Sequence, residues 1–154
     1  MNTLFHFFFN YLVVSGAFGI PVAREEILII LAASTFIDID HLAYIIRKRR
    51  LLAKFNRRLG PESHSELHEL FGLTLFSAFF LAAYFLGWGL VAKISALCFV
   101  LHLAVDFASG KTRPLRPFSR ELVYFLHLSI RKKVIFEILM TLAAGGAFLL
   151  LWLG

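Results

Sequence analysis

Leu28-Ile29-Ile30-Leu31-Ala32-Ala33-Ser34-Thr35-Phe36-Ile37-Asp38-Ile39-Asp40-His41-Leu42-Ala43-Tyr44-Ile45-Ile46 is the stretch whose reading decides the fold. It is apolar enough to be read as a membrane-spanning helix, yet two carboxylates and an imidazole fall within four of its residues. An ionisable group at membrane depth is costly and marks a functional site by default. The plainer reading is the wet end of a helix, where charge is cheap. The rest of the chain weighs against it.

Working outward, 59% of the 154 residues are hydrophobic and 18 are Phe. Soluble domains are typically about 45–50% apolar, so an all-α, polytopic membrane helix bundle is expected, with 1–154 forming one domain. Cys98 is the single cysteine, which excludes an internal disulfide and a thiolate zinc site. The net charge of +6 does not mark a nucleic-acid binder, because the basic residues border apolar segments as they do at a membrane surface.

About five transmembrane helices are expected. The first covers Leu4 to Ile20 and is read as retained rather than a signal peptide, since it lacks a basic leader and is interrupted by His6 and Asn10. The second runs from about Glu25 to Ile46, and the third from near His64 through Phe85. The fourth is Leu90 to Phe107 and the fifth Val134 to Leu153. A short interfacial helix over Leu122 to Ile130 precedes the last span. Arg47, Lys48, Arg49, Arg50, Lys54, Arg57 and Arg58 follow helix two. Lys111, Arg113, Arg116, Arg120, Arg131, Lys132 and Lys133 lie between helices four and five. The positive-inside rule then places both loops and the N-terminus in the cytoplasm.

That topology brings candidate ligands from four helices to one membrane face. They are His6; Asp38, Asp40 and His41; His64 and His68; and His102 and Asp106. The pairs Asp38/His41, His64/His68 and His102/Asp106 have i,i+3 or i,i+4 spacing, which puts each on one helix face about 5–6 Å apart. Asp40 points elsewhere, suiting a second ion or the orientation of a histidine ligand. Nitrogen and carboxylate donors without thiolate suit zinc first, then manganese or iron. Eight candidates exceed the three or so protein ligands of one catalytic zinc, so two ions are plausible. Glu66 and Glu69 are either a general base or first-turn acids complementing the helix dipole. His127 reads as a membrane-surface residue.

Asp38-x-Asp40-His41, then Ser63-His64-Ser65, then His102-x-x-x-Asp106 followed by Gly110, Pro114 and Pro117-Phe118, resembles the bacterial and archaeal membrane-bound metal-dependent hydrolases of the YdjM type. His6 fits that family's early histidine. The likeness runs from His6 to about Phe118, and the order of the motifs is its specific part. The family is in turn thought similar to zinc-dependent phospholipase C, which implies phosphoester chemistry in a prokaryotic inner membrane. This chain departs from the pattern at Arg58-Leu59-Gly60, where a histidine is usual, and offers His68 instead.

The function expected is therefore a metal-dependent hydrolase using metal-activated water, on a phosphoester ahead of an amide. A site at the cytoplasmic membrane surface favours a lipid or lipid-linked phosphate as substrate. Lys111 and Arg113 would hold a phosphate, and Asp40 and Glu66 would serve the chemistry. The alternatives are a metal-ion or proton transporter, since intramembrane His and Asp also line ion paths, or a membrane protein that metal merely stabilises.

Overall fold

Five helices and one pair of two-residue strands make up the described chain in the computed structural model, which covers residues 2–19, 22–36, 38, 69–119, 121–126 and 128–153. The helices are α1 (Thr3–Phe18), α2 (Arg24–Phe36), α3 (Leu70–Phe85), α4 (Gly89–Ser109) and α5 (Ile130–Leu153). Strands β1 (Lys111–Thr112) and β2 (Val123–Tyr124) pair antiparallel between α4 and α5, with Lys111 opposite Tyr124 and Thr112 opposite Val123.

Local chemistry sets several boundaries. The Asn2 side chain caps α1 by accepting from the Phe5 N–H at 2.8 Å. Gly19 closes that helix in the left-handed region at φ 59°, where a side chain would be strained, and returns its N–H to the Ser15 carbonyl. Glu25 and Glu26 occupy the first turn of α2, where carboxylates complement the helix dipole.

Helices α1 and α4 form the centre. α1 packs against α2, α4 and α5, while α3 lies on the other flank of α4. The main core joins Tyr11, Val14, Ile30, Ile94 and Cys98, drawn from α1, α2 and α4. A second cluster sets Phe99 and Leu103 of α4 against Leu73, Phe76 and Phe80 of α3, with the Phe76 and Phe99 rings 4.6 Å apart. Phe148 anchors α5 by an edge-on contact with Tyr11 at 4.7 Å. Much of the remaining apolar surface faces outward, including Phe79, Phe85, Leu142, Leu150 and Leu153.

Two of these helices, α4 and α5, are long and apolar enough to cross a bilayer. α1 and α3 are apolar but have 16 residues each. At 1.5 Å per residue each spans about 24 Å, short of the roughly 30 Å hydrocarbon core.

Three expectations are corrected. Helix two was expected to carry Asp38 within it, but α2 ends at Phe36 and Asp38 lies in a turn, its N–H on the Thr35 carbonyl at 3.1 Å; the expected continuation over 39–46 lies outside the described residues. Thr35 weakens that helix end by turning its hydroxyl back onto the Leu31 and Ala32 carbonyls. Helix three was expected to run unbroken from His64, but α3 starts at Leu70 behind an extended Glu69, and the expected portion over 64–68 lies outside the described residues. Tertiary bonds take the groups there: the Glu69 carboxylate accepts from the Arg113 N–H at 2.9 Å, and the Leu70 N–H donates to the Pro114 carbonyl. In place of the interfacial helix, β2 and a bend follow over 123–126, because Val123 and Tyr124 suit a strand and find β1 as partner.

Candidate metal centre

Four ionisable side chains meet where the start of α1, the turn after α2 and the end of α4 come together. His6 Nε2 lies 3.2 Å from Asp106 Oδ1. His102 Nε2 lies 3.4 Å from Asp106 Oδ2 and 3.4 Å from Asp38 Oδ1. The two imidazoles stack with centroids 3.7 Å apart and planes tilted by 13°, so both present the same ring edge to the carboxylates. His6 and His102 are fully buried and Asp106 nearly so. The i,i+4 spacing of His102 and Asp106 puts them on one face of α4, as expected.

These distances are long for N–H···O hydrogen bonds, whose mode is near 2.9–3.0 Å. They match a different geometry. Bonds of about 2.0–2.1 Å from a tetrahedral zinc to nitrogen and oxygen leave neighbouring donors about 3.3–3.4 Å apart. One donor atom each from His6, His102 and Asp106 lies within 4.8 Å of the others, so the donor set fits a divalent cation in both chemistry and spacing. The buried Asp106 and half-buried Asp38 carboxylates facing two imidazoles also want positive charge.

The surroundings hold this arrangement. Thr3 Oγ donates to Asp38 Oδ2 at 2.6 Å, leaving Oδ1 turned toward His102. One helical turn deeper on the same three helices stand Asn10, Ser34 and Cys98. Asn10 Nδ2 donates to Ser34 Oγ at 2.8 Å and to the Cys98 carbonyl at 3.4 Å. This second polar layer joins α1, α2 and α4 directly beneath the first. Deeper still, Val14, Ile30 and Ile94 close the interior with apolar packing.

Of the residues singled out from sequence, His6, Asp38, His102 and Asp106 are thus brought together. Asp40, His41, His64, Glu66 and His68 lie outside the described residues, as does His127. Lys111 belongs to β1, and Arg113 follows it with its backbone pinned by Glu69. Glu69, read from sequence as a first-turn acid, instead ties the start of α3 to the loop after α4. Sequence reasoning passed over Thr3, Asn10 and Ser34. Their signal was spacing: Thr3 and Asn10 lie three and four residues from His6, and Ser34 four from Asp38.

Searches of the curated proteins and of the solved structures return no match for this chain. The family described as YdjM inner membrane protein matches residues 1–154, the whole length. The chain belongs to the YdjM inner membrane protein family.

Proposed function

We propose that the chain is an integral-membrane, metal-dependent hydrolase that cleaves a phosphoester of a lipid or lipid-linked substrate. The observation that carries this reading is the meeting of His6, His102, Asp106 and Asp38 at 3.2–3.4 Å in a buried pocket of nitrogen and oxygen donors. In this reading the five helices form one bundle in the membrane, crossed by α4 and α5, and the basic loops keep the site at the cytoplasmic face.

His6, His102, Asp106 and Asp38 would hold a divalent ion, with zinc the first choice and manganese or iron next. Asp40, His41, His64 and His68 are the further ligands if a second ion binds. When bound, such an ion supplies Lewis acidity and a water made nucleophilic near neutral pH. Glu66 is the candidate general base. Lys111 and Arg113 follow directly on the ligand-bearing end of α4, where cationic side chains can bind a phosphoryl group.

Transport is the rival. It needs a polar path continuing to the far side, whereas the interior beyond Asn10 and Ser34 is filled by Val14, Ile30 and Ile94. That packing favours a closed-ended site and hydrolysis.

The test is to purify the protein in detergent, measure its metal content, and assay release from a generic phosphoester beside His102→Ala. Bound zinc with activity lost in the variant is expected. Metal-free protein, or equal activity in the variant, overturns the reading.

A further inference from the structure

The segment that follows Asp106 buries three polar groups that the fold leaves without a hydrogen bond among the described residues. Ser109 stands three residues beyond Asp106 and seven beyond His102, which places it on the face of α4 that carries both. It is 6% exposed, and Thr112 in β1 is 2% exposed. Neither hydroxyl has a hydrogen-bond partner among the described residues, and the same holds for the buried Nε of Arg113. Buried polar groups are nearly always paired, so three orphans within five residues need an explanation.

Poor packing is not that explanation, because the backbone here is held from three sides. The N–H of Gly110 returns to the Asp106 carbonyl at 2.8 Å, and the chain passes so close that a Cβ on Gly110 would sit 2.7 Å from that oxygen. β1 is paired to β2. Glu69 accepts from the Arg113 N–H, and Leu70 donates to the Pro114 carbonyl. The hydroxyls of Ser109 and Thr112 are thus kept unpaired on a rigid frame.

We infer that Ser109, Thr112 and Arg113 form an oxyanion subsite that binds the phosphate group of the substrate beside the metal centre. Arg113 Nε can only donate, so whatever completes it must accept, and the guanidinium charge selects an anion. Two hydroxyls add donors that adapt to oxygen positions. The inference rests on the proposed hydrolase reading for the identity of the anion, and a cation held by Asp106 and Asp38 would offset the repulsion of those carboxylates.

The experiment is equilibrium dialysis of radiolabelled inorganic phosphate, and separately of a short-chain phosphatidate, against detergent-solubilised protein with and without zinc. Wild type is compared with Ser109→Ala and Thr112→Val, and the zinc affinity and melting temperature of each are recorded. Each variant is expected to weaken phosphate binding about tenfold, as for loss of a hydrogen bond to a charged group. Zinc affinity should hold. The melting temperature should stay level or rise, because replacing an unpaired buried hydroxyl by an apolar group relieves it. A purely structural hydroxyl would give the opposite: lower melting temperature and unchanged phosphate affinity. That result, or wild type that binds no phosphate, overturns the subsite. Wild type that binds phosphate through Ser109 but no zinc overturns the metal reading alone. Tighter binding of phosphatidate than of phosphate identifies a lipid headgroup as the source, and equal binding identifies the free ion.

Discussion

Helices α4 and α5 are nearly alike in composition and opposite in situation. Both are long and apolar enough to cross a bilayer, yet about a third of α4 is buried inside the protein against almost none of α5. Hydropathy alone would make them interchangeable. The difference lies in a few polar side chains. His102, Asp106 and Ser109 share one face of α4, and a lipid-facing imidazole or carboxylate is costly, so that face must be enclosed. α5 has no such obligation. Its charged pair, Lys133 and Glu137 at 3.8 Å, stays in the first two turns, and Thr141 is satisfied by the Glu137 carbonyl. Apolar residues place a helix in the bilayer, and the polar ones decide whether it stands at the centre or the rim.

The most severe way to break this comparison is to remove what makes α4 central. His102→Ala deletes the imidazole that faces both Asp38 and Asp106. Zinc affinity should fall by about 100-fold or more, since even indirect supports of a metal site cost 10–100-fold. Isothermal titration in detergent measures it. Unchanged affinity would remove His102 from the site.

Next in size is Gly110→Ala at the end of α4. The new Cβ would meet the Asp106 backbone oxygen at 2.7 Å, and backbone cannot yield as a side-chain tip can. A loss of roughly 1–3 kcal/mol is expected, as for other overpacked sites, read as a lower melting temperature. A wild-type value would mean that the chain passes α4 less tightly than the geometry requires.

A smaller effect isolates the support from the ligand. Thr3→Val keeps the shape of the side chain but loses the hydroxyl that fixes Asp38 Oδ2 at 2.6 Å. Zinc affinity should weaken about tenfold, while Thr3→Ser restores it. If Val and Ser behave alike, Asp38 is oriented by other contacts.

How much of this was legible beforehand depends on whether the signal was local. The membrane class, the helices and the meeting of His6, Asp38, His102 and Asp106 followed from apolar runs and i,i+4 spacing, which any helix translates into one face. What was misread depended on partners distant in sequence. Nothing near Leu122 says that Val123 will find Thr112. Nothing near Glu69 says that its carboxylate will leave the first turn of a helix for the Arg113 N–H. Asp38 was placed inside a helix because its apolar neighbours continue the pattern. The turn there rests on the Thr35 back-bonds and on Thr3, which hydropathy does not register. Of the expected spans, α4 and α5 have both the length and the apolar content to cross a bilayer, while α1 and α3 are as apolar but end at 16 residues each.

The smallest effect belongs to α5 and runs in the opposite direction. Gly146 is in the interior of that helix, exposed, and a Cβ built on it meets nothing within 4 Å. Its neighbour Gly145 differs: a Cβ there would lie 3.2 Å from the Phe8 ring, so that glycine lets α5 approach α1. Gly146 has no such duty, and a glycine inside a helix costs about 0.5–1 kcal/mol relative to alanine through the freedom it gives the unfolded chain. Gly146→Ala should therefore raise the melting temperature slightly and leave zinc affinity unchanged, while Gly145→Ala should be neutral or worse. If Gly146→Ala destabilised the protein, its face of α5 would be covered rather than open to lipid. The contrast between a central α4 and a peripheral α5 would then hold only for the isolated chain.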